Sequence, residues 1–219
     1  MTKASCDGRT TGPAPLADGY HVFPPGKILN VVTWLEMRAP PATPIAPPLA
    51  LRRVVRPDPA WYRALFLRVG TPWLWSMHLE LDDAALAEAI ADPSLEIFVA
   101  CEARAEVGLV VLDRGDPRSV EILDFGLVPE ATGRGLGRRM MAATLAHAFA
   151  GGPERVWLHT CTHDHPAAVP FYLACGFAAY ATGVEVLDDP RLAGLLPPDA
   201  APHVPLLRPA GGWLRPAGD

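Results

Sequence analysis

Val120-Glu121-Ile122-Leu123-Asp124-Phe125-Gly126-Leu127-Val128-Pro129-Glu130-Ala131-Thr132-Gly133-Arg134-Gly135-Leu136-Gly137-Arg138-Arg139-Met140-Met141 reads as an apolar strand, a glycine-rich turn and a helix that opens with two arginines. Arginine in a first helical turn opposes the macrodipole, which places positive partial charge there. Beside three alternating glycines, Arg138 and Arg139 make electrostatic sense if an anion occupies the turn. Exposed backbone N–H groups would cradle it and the arginines would supply counter-charge. The stretch therefore points to a phosphate-bearing cofactor.

Working outward, residues 1–26 are rich in Gly, Pro, Ser and Thr and read as an irregular extension. Residues 27–37 form a first strand, ended by Pro40, Pro41, Pro44, Pro47 and Pro48. Helical apolar spacing runs over 58–69 and again over 81–91, the second after an Asp82 cap. Strands are expected at 95–100 and 107–112, joined by a charged turn at 102–106. After the opening strand comes a helix over about 135–150, stopped by Gly151-Gly152-Pro153. A strand at 155–160, a short helix at 166–175 and a final strand to about 187 complete the pattern. The order β–α–α–β–β–β–α–β–α–β is mixed α/β, with helices able to cover both faces of one sheet. Residues 27–189 are read as one domain and the proline-rich residues 190–219 as a tail.

The 219 residues carry a formal charge of −5, which argues against a nucleic-acid partner. No apolar run reaches membrane-spanning length, and the longest, around Met140 to Ala150, contains Thr144 and His147. The start of the chain lacks a charged–apolar–small export pattern. Cys6, Cys101, Cys161 and Cys175 lie far apart with no C-x-x-C pair, as expected of reduced thiols in a cytoplasm. The pattern is compatible with a homodimer but does not specify oligomeric state.

Three kinds of glycine loop compete for the opening stretch. A Walker loop needs a lysine after its last glycine, and none follows Gly137. A dinucleotide fingerprint needs G-x-G-x-x-G in the first strand–helix turn, whereas Gly133, Gly135 and Gly137 alternate after two earlier helices. The acyl-coenzyme-A loop, [Gln/Arg]-x-x-G-x-[Gly/Ala], fits except at its first position, where Thr132 stands. A tight turn with no ligand is the bland alternative. Downstream, Asp164-His165-Pro166-Ala167-Ala168-Val169-Pro170-Phe171-Tyr172-Leu173-Ala174-Cys175-Gly176-Phe177 resembles the A-x-x-x-Y-x-x-x-G-F signature of the GNAT superfamily, the general-control-type N-acetyltransferases. Ala168, Tyr172, Gly176 and Phe177 fall at its spacing, and the joint resemblance covers roughly 119–180. It implies a mixed, mostly antiparallel central sheet of about six or seven strands with helices on both faces, the acyl-CoA N-acyltransferase fold.

The resemblance further implies an acetyl-CoA co-substrate, no metal, and a small-molecule primary amine as acceptor. The loop Thr132, Gly133, Arg134, Gly135, Leu136, Gly137 and Arg138 would hold the pyrophosphate. Leu127 and Val128 would offer main-chain groups to the pantetheine arm, like an added strand, between two strands that splay apart. His165 stands where Asn is common and would also meet the pantetheine. Glu121 aligns with the strand glutamate that serves as general base in the histone-modifying branch, and Tyr172 is the candidate acid. Asp124 is the second base candidate, because a carboxylate in an apolar strand is costly unless paired or hydrated. Its odd spacing from Glu121 sends the two to opposite sheet faces unless a bulge intervenes. Trp73 and Trp75, with Met77 and His78, lie where this fold usually faces the acceptor, and Trp34 and Glu36 on the first strand would join them. Rings there suit a partly apolar or cationic acceptor, although helix packing explains them as well.

Two rival readings remain. An acyl-CoA sensor without turnover would use the same fold. His159, Cys161, His163 and His165, with Asp164, form an H-x-C-x-H-D-H run that would suit zinc or nickel if one face of an extended chain carried the four odd positions.

Overall fold

The computed structural model describes residues 15–208. One seven-stranded sheet organises them: β1 (Lys27–Met37), β2 (Ala50–Val54), β3 (Leu95–Glu102), β4 (Ala105–Asp116), β5 (Ser119–Leu127), β6 (Arg155–Cys161) and β7 (Ala178–Asp188). The spatial order is β2-β3-β4-β5-β6-β1-β7. Every pairing is antiparallel except β5 with β6. The helices are α1 (Pro59–Gly70), α2 (Asp83–Ile90), α3 (Leu136–Ala148) and α4 (Ala168–Ala174). They cover both faces, as the sequence implied.

The caps follow from sequence. Asp58 accepts from the Trp61 amide ahead of Pro59, and Asp82 accepts from the Ala85 amide, each relieving an orphan helix donor. In α3 the buried Leu136, Met140, Met141, Thr144, Leu145 and Ala148 form one helical stripe. The hydroxyl of Thr144 is satisfied by the Met140 carbonyl. β3, β4 and β5 supply the centre of the core, with Val99, Leu109, Val110 and Leu112 fully buried.

One strand has no counterpart in the sequence reading: β2, where Ala-Leu-Arg-Arg-Val shows no apolar alternation. It is an edge strand whose arginines pair with Glu106 and Glu96, and edge strands often carry charge. The C-terminal segment is no tail through residue 204: Leu196, Ala200, Ala201 and Val204 bury against Ile28 and Leu74. A fully buried Arg191 fastens it by bonding Asp189 and the carbonyls of Ala200 and Val204. Of the irregular N-terminal extension, residues 1–14 lie outside the described residues, and 15–26 hold no helix or strand. Cys6 is likewise outside them; Cys101, Cys161 and Cys175 are free thiols.

Candidate active site

β5 and β6 pair only through Ser119–Arg155, Val120–Val156 and Glu121–Trp157. Beyond Glu121 the two strands separate, although β5 continues to Leu127 and β6 to Cys161. Such a fork between parallel neighbours leaves main-chain donors and acceptors on both inner edges without ladder partners, which suits an extended ligand arm. Within it, Leu127 and Val128 differ. The Val128 amide donates to Val107 and its carbonyl accepts from Ala131. Val128 is therefore spent inside the protein, and the neighbouring Leu127 is the residue in phase to face the gap.

At the end of the fork the chain turns through Pro129–Ala131 into the glycine loop. The Thr132 hydroxyl donates back to the Pro129 carbonyl at 2.7 Å. Its side chain thus tightens the turn and does not replace the Gln or Arg of the family pattern. Gly133 and Gly135 have φ of 72° and 75°, with open space where a Cβ would stand. Conformation, not crowding, requires glycine here. Gly135 is the N-cap of α3 and no side chain caps that helix, so first-turn amides are left without intrahelical or side-chain partners. Leu136 is buried in the core, and Gly137 approaches the ring of Phe171. Arg134 pairs with Glu102 at 2.8 Å, and Arg138 donates to the Ile45 carbonyl. Uncapped amides, open space and two tethered guanidinium groups fit an anion.

On the other side of the fork, His165 Nδ1 accepts from the Ala167 amide at 3.0 Å, which closes the turn that leads into α4. Its ring meets Trp73 edge-on at 5.2 Å. Asp164 ties the same turn together, accepting from the Thr160 hydroxyl, the Cys161 amide and the indole N–H of Trp75. Trp75 also packs against Gly126 on β5: a Cβ there would collide with Val69 and come within 3.1 Å of the Trp75 ring. One indole therefore spans the fork from β5 to the end of β6. Tyr172, on α4, is buried and lies edge-on to Phe125 of the splayed part of β5. Burial raises its phenol well above the ordinary range. Among the described residues its hydroxyl has no hydrogen-bond partner.

Glu121 and Asp124 share one face. Val111 pairs with Asp124 and Leu112 with Ile122, so Leu123 is an extra residue, a bulge that flips the alternation. Asp124 is 5% exposed and accepts from the Tyr62 hydroxyl at a long 3.4 Å. Burial pushes its carboxyl up to about 7 despite Tyr62 and His159. Glu121 stands at the fork with 18% of its side chain exposed, and His159 Nδ1 lies 3.6 Å from it.

Across β1, Trp34 is opposite His159 in register and packs on Gly183. Glu36 is opposite Trp157 but is held by Arg38 and Arg155, which removes it from the acceptor side. Trp73 is wedged between His165 and His203. Trp73 and Trp75 are therefore both committed to internal contacts. His78 packs near Tyr62, and burial lowers its imidazole. The four side chains named from sequence as a metal run do not converge. His163 turns to the Leu29 carbonyl and His165 to its own turn, and among the described residues no group of three or more such side chains could hold an ion.

The model of the acetyltransferase (GNAT) family matches residues 60–177, more than half of the chain. The chain belongs to the GNAT family. Uncharacterised N-acetyltransferases of Mycobacterium tuberculosis and Mycobacterium bovis are 36% identical to it over 97 residues, 44% of this chain and 62% of theirs. This GNAT chain thus spans less than two thirds of the length of those curated relatives. A functionally unknown conserved protein from Staphylococcus epidermidis superimposes with a TM-score of 0.54 at 18% identity, over 75% of this chain and 63% of that one. A protein assigned to the GNAT family from Novosphingobium aromaticivorans gives 0.51 at 19% identity, over 80% and 69%. These two likenesses carry the fold alone.

Sequence reading did not single out Tyr62, and it named His159 and Asp164 only in the metal run and the downstream signature, not as neighbours of Glu121 and Trp75. An aspartate inside an apolar strand signals that a partner must exist, but which helix residue meets it depends on packing register. Among the described residues no helix is long and apolar enough to cross a membrane.

Proposed function

We propose that this protein transfers the acetyl group of acetyl-CoA to a primary amine of a small molecule by direct attack on the thioester. The observation that carries this reading is the fork between β5 and β6, with an anion-ready loop at one end and Glu121 at the other. Gly133 to Arg138 hold the pyrophosphate through loop amides, and Leu127 and His165 flank the pantetheine. Acetyl-CoA supplies the activated acyl carbon; the rest is positioning and proton movement.

An acceptor amine with an ordinary value near ~10.4 is neutral in only about one molecule in 10³ to 10⁴ at neutral pH. Glu121 takes the ammonium proton, the nitrogen bonds to the acyl carbon, and the carbon–sulfur bond breaks. Tyr172 is a weaker acid than a thiol once burial has raised it, so it gives its proton to sulfur only as the nitrogen's second proton replaces it. The balance is one amide, one free thiol and one proton released. Glu121 is preferred to Asp124 because it opens on the fork, whereas Asp124 is enclosed with Tyr62.

The inward turn of the Thr132 hydroxyl favours a second reading, an acyl-CoA sensor without turnover. Acetyl-CoA should raise the melting temperature, and a panel of spermidine, tyramine, tryptamine and lysine should release free thiol with at least one member. Glu121→Gln should lower that release about 10²- to 10⁴-fold, the usual worth of a positioned base. Stabilisation without thiol from any amine supports the sensor. No stabilisation by acetyl-CoA overturns both.

A further inference from the structure

One proton leaves the site in each proposed turnover, and Glu121 must be ionised again before the next ammonium arrives. The surroundings of Glu121 limit how that happens. Its carboxylate is 18% exposed and Trp157 is its register partner across the last rung of the β5–β6 pairing. Two residues further along β6, on the same face, stands His159, with Nδ1 3.6 Å from Glu121 Oε1 and 45% of its side chain exposed. One ring therefore touches the carboxylate and the solvent together. The separation is just beyond hydrogen-bond length, and a small side-chain rotation or one bridging water closes it.

The charged neighbours of this ring all have one sign. Glu121 and Asp124 face it from β5, Asp164 from the turn after β6, and Glu185 from β7. From β1 it meets the uncharged Trp34, and α1 contributes only Tyr62, behind Asp124. The Glu121 carboxylate, ahead of the others, holds the imidazole above its ordinary value, against the opposing effect of burial. An imidazole so placed accepts a proton readily, and its exposed edge can hand that proton to water.

We propose that His159 is the proton exit of the site: it takes the proton that Glu121 removed from the amine and passes it to bulk water. In the first step the protonated carboxyl of Glu121 becomes carboxylate and neutral His159 becomes imidazolium. In the second, imidazolium loses that proton to solvent, and both groups are reset. The inference rests on Glu121 as base. It gives His159, a member of the unformed metal run, a task as a positioning and relay residue that touches no reacting atom.

Two measurements test it. The ring resonance of His159 is titrated by NMR in the intact protein and in Glu121→Gln, without substrate. The midpoint should lie above the free-histidine value in the wild type and fall in the variant; equal midpoints overturn the contact. Turnover is then measured with acetyl-CoA and the best amine of the panel in dilute buffer. His159→Gln should keep the thermal shift given by acetyl-CoA, lose about tenfold in kcat as expected for impaired proton transfer, and change the acidic limb of the pH profile. Added imidazole should restore His159→Ala. Unchanged kcat in His159→Gln, or no rescue of His159→Ala, overturns the proposal. Full turnover in Glu121→Gln would instead remove the base reading and leave the titration result standing, so the two failures are distinct. If no amine of the panel is turned over, the proton-exit proposal falls with the transfer reading, whatever the titration shows.

Discussion

Replacing Asp124 by Asn should make the protein more stable at pH 8 and leave it unchanged at pH 4. Asp124 is 5% exposed, and burial, partly offset by the Tyr62 hydroxyl and by His159, moves its carboxyl from 3.8 to about 7. A carboxyl raised on folding binds more protons in the native state than in the unfolded chain between those two values. Stability therefore falls as pH rises through that window and levels off above about 7. Three decades at 1.36 kcal/mol each give a ceiling of about 4 kcal/mol. Asparagine keeps the shape and an oxygen for Tyr62 but carries no charge, so the variant escapes that cost.

The quantity to measure is the difference between variant and wild type in urea unfolding, followed by tryptophan fluorescence at pH 4, 5, 6, 7 and 8. Taking the difference removes most of the contribution of His78 and His163, which burial lowers and which weaken the fold on acidification. The difference should be near zero at pH 4 and climb to between about 2 and 4 kcal/mol at pH 8, with unchanged denaturant slopes. A difference that stays constant from pH 4 to pH 8 would refute the reasoning, because it would mean that Asp124 pays no ionisation cost in the folded protein.

Two other substitutions separate chemistry from architecture. Tyr172→Phe deletes a hydroxyl and keeps the ring that packs on Phe125 and Phe177, so the unfolding midpoint should hold within about 0.5 kcal/mol while kcat falls about 10²- to 10⁴-fold; a large loss of stability with normal kcat would contradict the assignment. Arg191→Met leaves Asp189, 1% exposed, as an unpaired buried charge and should cost about 3–5 kcal/mol, with limited proteolysis cutting first within 190–205. The double change Asp189→Leu with Arg191→Met should recover most of that, and equal unfolding midpoints for wild type and Arg191→Met would refute the role given to the pair.

What could be read from the chain is uneven for physical reasons. The strand, the alternating glycines and the uncapped helix start were legible because main-chain geometry and helix dipoles act over a few residues. Asp82 announced its helix in the same way. β2 was not legible: two arginines hide an edge strand whose partner, β3, lies more than 40 residues on, and only the salt bridges to Glu96 and Glu106 explain the charges. The folding of residues 190–204 was hidden by prolines, since its cement is a buried ion pair and not apolar periodicity. Trp73 and Trp75 were expected on the acceptor side, and their contacts with His203 and Asp164 come from tertiary packing that spacing does not encode.

The bulge at Leu123 links these observations. Without it, strict alternation would put Asp124 on the face of Phe171 and Tyr172, and Phe125 against Val69 and Trp75. With it, Phe125 reaches the α4 rings at 6.0 and 6.2 Å, Gly126 gives the Trp75 indole room to span the fork, and Asp124 joins Glu121 and His159. The extra residue therefore sets three features at once: an apolar wall beside Tyr172, a strut across the separated strands, and an acidic cluster around one imidazole. It also accounts for the cost of Asp124, since the same flip that gathers the carboxylates drives one of them under α1. A purely structural aspartate would gain from full pairing, but this one meets a single hydroxyl at 3.4 Å. Its charge is better understood through its neighbour, because an ionised Asp124 favours the imidazolium form of His159, which assists a proton to move outward along β6.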